Sequence, residues 1–147
     1  MKKVLFALTL LLTSFVFIGC DDDDDKKIEV KDLPAISQTF LQTHFPNQEV
    51  RLAEKDDDSY DVFLVNGFKV EFYLSGEWND VYGFGMQIPQ SIIDLLPETI
   101  PTYIKEHYPQ NSIVEVSKEM YGYEIELNND WDIRFDQSGN FIGEDRS

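Results

Sequence analysis

"LPAISQTFLQTHFP" (residues 33–46) and "LPETIPTYIKEHYP" (residues 96–109) are one phrase written twice. A displacement of 63 residues aligns Leu33 with Leu96, Pro34 with Pro97, Thr39 with Thr102, His44 with His107 and Pro46 with Pro109. The register then runs on without a gap, so that Tyr60 meets Tyr123, Leu64 meets Leu127, Asn66 meets Asn129, Phe72 meets Phe135 and Ser75-Gly76 meets Ser138-Gly139. Aromatic exchanges fill the spaces: Phe40 with Tyr103, Phe45 with Tyr108, Phe68 with Trp131, Trp78 with Phe141. Chance rarely keeps aromatic, proline and turn positions in phase over such a length. The reading is a tandem duplication, 33–82 and 96–145, joined by a linker at 83–95.

Each unit is expected to open with a helix. Leu33, Ile36, Phe40, Leu41 and His44 follow the i, i+3, i+4, i+7 spacing of a buried stripe, with Asp32 as N-cap and Pro34 at an early helical position. Pro46 stops that helix. In the second unit Ile100, Tyr103, Ile104 and His107 form the matching stripe, and the helix is expected to start close to Pro101, whose ring would break a helix already under way. Beyond each helix the pattern changes to period two. Tyr60, Val62 and Leu64 face one way and Asp61, Phe63 and Val65 the other, before Asn66-Gly67 turns the chain into Phe68, Val70, Phe72 and Leu74. With an earlier strand near 49–54 or 112–117 and a last one holding Trp78 or Phe141, the expected fold is α+β: two tandem repeats, each a helix packed on its own four-stranded antiparallel sheet.

Upstream of the repeats, Lys2 and Lys3 precede fifteen uncharged residues, Val4 to Ile18, and then Gly19. That is the pattern of a secretory signal peptide over residues 1–19, too short for a span of the hydrocarbon core. "FIGC" (17–20) resembles the lipobox of bacterial lipoproteins, with Phe17 where leucine is usual. The resemblance implies that Cys20, the chain's one cysteine, becomes the first mature residue and carries acyl chains. Residues 20–32, opening with Asp21 to Asp25, then read as an acidic tether. Such a run after the lipidated cysteine also looks like an export signal to the outer face of the outer membrane. The implied location is the outer membrane, on its periplasmic or its cell-surface side.

The chain carries 28 acidic against 12 basic side chains, a net charge of −16. Loss of Lys2 and Lys3 would make the exported protein more acidic still. That charge repels nucleic acid and anionic headgroups, so membrane attachment has to come from acyl chains on Cys20. A single cysteine also excludes an intramolecular disulfide, and stability must come from a packed core. Catalytic chemistry is thin. His44 and His107 occupy the same position at a helix C-terminus, where a structural role beside the helix dipole accounts for them. The chain has no GxSxG, HExxH, P-loop or metal-spaced Cys/His cluster, and "KDDDSYD" (55–61) lacks the spacing of an EF-hand loop. No cofactor and no metal site is expected, and the protein reads as a non-enzyme.

Leu-Pro, an aromatic helix, "HFP" or "HYP", and a hairpin ending "RFDQSGNFI" (134–142) together resemble the PepSY-like, beta-lactamase-inhibitor-like domains of bacterial secreted and lipid-anchored proteins. The resemblance covers 33–145. One departure is Tyr73, which stands where the second unit has Asp136. What the resemblance implies is a non-catalytic extracytoplasmic module, with protein binding or enzyme inhibition by analogy.

The outward hairpin positions differ between the units. In the second they are Glu124, Glu126, Asp132, Arg134 and Asp136, an ordinary solvated face; in the first they are Asp61, Phe63, Lys69, Glu71 and Tyr73, with Val65 continuing the row. Phe63, Val65 and Tyr73, joined by Tyr82 and Phe84, are therefore the expected partner-binding surface. The alternative is that the linker or the other repeat covers them. The function expected is capture, and by analogy inhibition, of a secreted or cell-surface protein of unknown identity through a sheet face. Two other readings compete: a carbohydrate-binding surface lipoprotein, and an acidic cation-binding structural protein of the envelope.

Overall fold

The computed structural model describes residues 26–146. The segment expected to be a signal peptide, Cys20 and Asp21 to Asp25 lie outside these residues. In chain order the elements are β1 (Lys26–Ile28), a short 3-10 turn (Val30–Asp32), α1 (Ala35–His44), β2 (Val50–Lys55), β3 (Ser59–Leu64), β4 (Lys69–Tyr73), β5 (Trp78–Tyr82), α2 (Gln90–Ile93), α3 (Thr99–His107), β6 (Ile113–Glu119), β7 (Gly122–Leu127), β8 (Trp131–Asp136) and β9 (Phe141–Arg146).

All nine strands form one antiparallel sheet, in sequence order from β1 to β9. This corrects the expectation of two separate four-stranded sheets. The seam is the pairing of β5 with β6, where Asp80 faces Ser117, Val81 faces Val116 and Tyr82 faces Glu115. Self-similarity predicts what each half does internally, but a four-stranded open sheet has two unpaired edges, and an exposed edge is a template for another strand. Here the edge of β5 is satisfied by β6. On the other side of the first half, β1 fills the corresponding place against β2: Ile28 faces Ala53 as Val81 faces Val116. Lys26–Ile28, assigned from sequence to the tether, is thus an edge strand, and Val30–Asp32 form a hydrogen-bonded turn.

One face of the sheet holds the core. Ala53, Val62, Val70, Val81, Val116, Ile125 and Ile133 form an unbroken row of directly paired residues from β2 to β8, and every member is buried. The row crosses the seam without interruption, so burial itself joins the halves. The helices lie on this face. Phe40 of α1 meets Phe72 edge-on at 5.7 Å and stacks on Trp78 at 5.9 Å. Tyr103 of α3 meets Phe135 edge-on at 5.5 Å and stacks on Phe141 at 4.9 Å. Phe45 touches Phe68, and Tyr108 touches Trp131. These contacts explain why aromatic positions keep their phase in sequence: each is half of a helix-to-sheet pair.

Several local readings change. Residue 34, not Asp32, is the N-cap of α1, because Asp32 closes the preceding turn by accepting the Glu29 N–H at 3.2 Å. Ile36 is 52% exposed although it fits the helical stripe; buried Ser37 takes the inward position and donates its hydroxyl to Gly76 O at 2.8 Å. Thr99 makes the matching bond to Gly139 O at 2.8 Å. Gly76 and Gly139 have φ of +90° and +81° and lie under the first turn of α1 and α3, where a side chain would collide with Pro34 and Ile36, or with Pro97 and Thr99. Segment 83–95 is more than a connector, since Ile88, Ile92 and Ile93, the last two in α2, are buried in the common core.

Candidate functional site

The uncovered face of the sheet carries two adjacent rows of side chains. In one, Glu54, Asp61, Glu71, Asp80, Ser117, Glu124 and Arg134 are paired in turn from β2 to β8. In the other, Phe63, Lys69, Tyr82, Glu115, Glu126 and Asp132 are paired from β3 to β8. Neighbouring strands are about 4.8 Å apart, so facing carboxylates are forced close. Like charges directly opposite are unfavourable, and the face is organised around that cost.

Lys69 is the organising cation. Its Nζ lies 2.8 Å from Asp61 Oδ2 and 3.5 Å from Glu71 Oε2. The ammonium also sits 5.6 Å from the Phe63 ring centre and 5.1 Å from that of Tyr82. Burial works to lower its pKa, but the hydrogen bond and charge of Asp61, with Glu71, outweigh burial and hold it above the usual lysine range. Phe84 then stacks on Tyr82 at 5.9 Å.

Past Lys69 the face is short of cations. Asp80, 6% exposed, accepts from Asn79 Nδ2 and is hydrogen-bonded to Ser117. Burial, reinforced by Glu71 and Glu119, still pushes its carboxyl up to about 6 against the lowering effect of Ser117 and Lys69. Glu115 is raised well above the carboxylate range, chiefly by burial and then by Glu126 facing it. Burial, with Asp80 and Glu71, raises the Tyr82 phenol. The second-half positions expected to be an ordinary solvated face, Glu124, Glu126, Asp132, Arg134 and Asp136, are all half-buried.

The structure brings three of the five sequence-derived surface residues together. Phe63, Tyr82 and Phe84 surround or adjoin Lys69. Tyr73 faces Ser59, four residues along β4 from Lys69 and so about 13 Å away. Val65 lies past the end of β3, 61% exposed, its N–H donated to Glu49 O at 2.9 Å. Neither joins the aromatic cluster. Nor does the linker bury it: Phe84 is 69% exposed and has φ +50°, a left-handed conformation that is strained for an aromatic residue. Asp80, Glu115 and Ser117 escaped the sequence reading because their meeting depends on the β5–β6 seam. The bulge at Glu71/Phe72 also breaks the alternation, which counted from inward-facing Trp78 would have placed Asp80 on the buried side.

The histidines take no part in this face. His44 Nδ1 is hydrogen-bonded to Ser91 Oγ at 2.9 Å and its ring lies 4.4 Å from Phe40. Burial lowers its pKa, against the direction in which a helix C-terminus acts. His107 stacks on Tyr103 at 3.9 Å. Among the described residues, no group of three or more His, Cys, Asp or Glu is arranged to hold a metal ion.

Residues 58–143 match the family model described as "Putative beta-lactamase-inhibitor-like, PepSY-like". Among solved structures, the chain is similar to a Bacteroides vulgatus protein described as a "putative periplasmic protein from DUF2874 family", with 36% identity, a TM-score of 0.78, and 85% of this chain and 99% of that one covered. It is similar to a Bacteroides thetaiotaomicron protein described as a "putative calcium-regulated periplasmic protein", with 34% identity, a TM-score of 0.78, and coverage of 84% and 98%. A second Bacteroides vulgatus protein, described as a "putative periplasmic protein of unknown function", matches with 29% identity, a TM-score of 0.77, and coverage of 82% and 98%. Comparison with curated proteins finds no match. These comparisons indicate no catalytic family. With more than half its length on the family model, and a like-sized relative of the same fold at 36% identity, the chain belongs to the PepSY-like, beta-lactamase-inhibitor-like family.

Proposed function

We propose that this protein is a non-catalytic binding module, exported and held to the outer membrane by acyl chains on Cys20, that captures a basic segment of a secreted or cell-surface protein on the uncovered face of its sheet. The observation that carries the reading is the row Phe63–Lys69–Tyr82, extended by Phe84, continued by the carboxylates of Glu115 and Glu126 and flanked in the adjacent row by those of Glu71 and Asp80. Aromatic side chains bury large area at small entropic cost, and a field of one sign steers a partner of the other. Lys69 is already neutralised by Asp61 and Glu71, so the net demand of the face is for positive charge. A partner's lysines or arginines would offset the burial and the repulsion that lift the Asp80 and Glu115 carboxyls. Inhibition of the captured protein is supported by the family's description. Export is supported by the periplasmic descriptions of the relatives and by the signal-peptide pattern. A tandem duplication is supported by the 63-residue recurrence and by strand bulges at Val50/Leu52 and Ile113/Glu115 that keep that spacing.

The test is capture from native envelope and secreted fractions by the soluble protein, beside Phe63→Asp and Phe84→Asp variants and an Ile142→Asp control, each checked by circular dichroism. One protein held by the wild type and the control, lost with both variants and released by salt, is the expected result. Equal capture by all four, or capture insensitive to salt, would overturn the reading.

A further inference from the structure

On the opposite side of the sheet, a groove of about 370 Å³ opens between α1 and the second half. Its apolar walls are Ile36, Phe40, Trp78 and Leu95, and its polar groups are Thr39, Thr43, His44, Glu77 and Lys118. Such a volume, largely apolar with a few polar groups, suits a small molecule, and junctions between structural units are a common place for one. Two of its apolar walls are left open to water, since Ile36 is 52% and Leu95 48% exposed.

Lys118 gives the groove its chemistry. It lies on β6, two residues after inward-facing Val116, so its side chain points to the helix side of the sheet. Its Nζ rests 3.8 Å from the centre of the Trp78 ring. Among the described residues no carboxylate forms an ion pair with it, although the protein is strongly acidic. Glu77 acts on it only as a more distant charge, while burial lowers its pKa. A half-desolvated ammonium beside an apolar trough lacks one thing, an anion. The corresponding position of the first half, Lys55, is exposed and lies 5.9 Å from the Tyr60 ring. The groove forms where Leu95 of the linker and Lys118 of the second half meet Phe40 and Trp78 of the first.

We infer that this groove is a binding site for a small carboxylate with an apolar body, whose carboxylate pairs with Lys118 and whose body lies on Ile36, Phe40 and Leu95. The site is independent of the protein-binding face, from which the sheet separates it. The hydroxyls of Thr39 and Thr43 donate to backbone Ala35 O and Thr39 O within the helix. They therefore line the trough without demanding a partner, and the one polar group that selects the ligand is Lys118.

The test uses the exported chain from residue 20 as a Cys20→Ser variant, with phenylacetate as probe and phenylacetamide as its neutral match, followed by ¹H–¹⁵N NMR. The indole N–H of Trp78 reports on the groove and that of Trp131 serves as internal control. Expected are saturable shifts at Trp78, Thr39 and Thr43 with none at Trp131, and binding of phenylacetate about fivefold tighter than phenylacetamide. Lys118→Gln should erase that preference. Leu95→Glu, at an exposed position that leaves the core untouched, should weaken phenylacetate more than phenylacetamide. Glu77→Gln should tighten phenylacetate. Absence of saturable shifts, shifts centred elsewhere, or a carboxylate preference that survives Lys118→Gln would overturn the inference.

Discussion

Replacing Asp80 by asparagine tests the account of the acidic face most directly. Asp80 stands between Glu71 and Ser117 in the outward row, with Glu119 adding to the repulsion and Lys69 opposing it. Burial first, and then the charges of Glu71 and Glu119, push its carboxyl from the ordinary 3.8 up to about 6. The folded protein therefore binds this proton more tightly than the unfolded chain does. Stability from this group is complete below about pH 4 and is lost as pH rises through about 6. A shift of about two units corresponds to a ceiling of about 3 kcal/mol, and screening by water over an uncovered sheet reduces this to about 1–2 kcal/mol. Asparagine reproduces the protonated shape: its amide oxygen still accepts from Asn79 Nδ2, and the Ser117 hydroxyl can turn to suit the amide. Urea unfolding followed by tryptophan fluorescence should then place the Asp80→Asn midpoint higher than wild type by about 1 M at pH 7.5, with no difference at pH 4. A variant weaker than wild type at pH 7.5, or a shift equal at both pH values, would refute the reasoning.

Other consequences are equally concrete. Gly76→Ala should cost about 2–4 kcal/mol in thermal or urea unfolding, because its φ is +90° and the new carbon would stand 2.5 Å from Ile36 Cγ2 and Pro34 Cβ. Ser37→Ala should cost about 1–2 kcal/mol by leaving Gly76 O, which accepts the Ser37 hydroxyl at 2.8 Å in a buried site, without that donor. Trp78 and Trp131 sit in different halves of one sheet, so Trp78→Phe and Trp131→Phe chains, each followed through the remaining indole, should unfold in a single transition matching that seen by circular dichroism; separate transitions would mean independent halves. Phe84→Gly relieves a positive φ of 50° while removing an exposed ring, so stability should stay within about 1 kcal/mol of wild type while partner capture is lost.

The halves of this protein differ in use although their frames agree. In the first, Phe63 and Tyr82 enclose Lys69; in the second, Glu126 faces Glu115, and Glu124 is bonded to Tyr121 at 2.9 Å. The seam places these unlike surfaces side by side on one face. On the other face, it sets Lys118 beside Trp78 and leaves the groove between them. A single half would possess neither arrangement.

Local structure was legible from the chain because it depends on nearby residues. The stripes of Phe40, Leu41, Ile100 and Ile104 specify helices, and the alternation around Val62, Val70, Ile125 and Ile133 specifies strands with one buried face. Gly76 and Gly139 mark turns that admit no side chain. The 63-residue recurrence likewise showed which aromatic positions act together. What it could not show was where each half ends, because an open sheet edge carries no sequence mark of the strand that will cover it. The pairing of Val81 with Val116 joins residues far apart in the chain, and only folding makes them neighbours. That one seam turned two expected sheets into one and brought Asp80 to Ser117, while the pairing of β1 with β2 drew Lys26–Ile28 into the opposite edge. The sequence by itself determined the elements and their buried faces; the tertiary structure decided which edges meet, and with them both surfaces through which the protein is proposed to act.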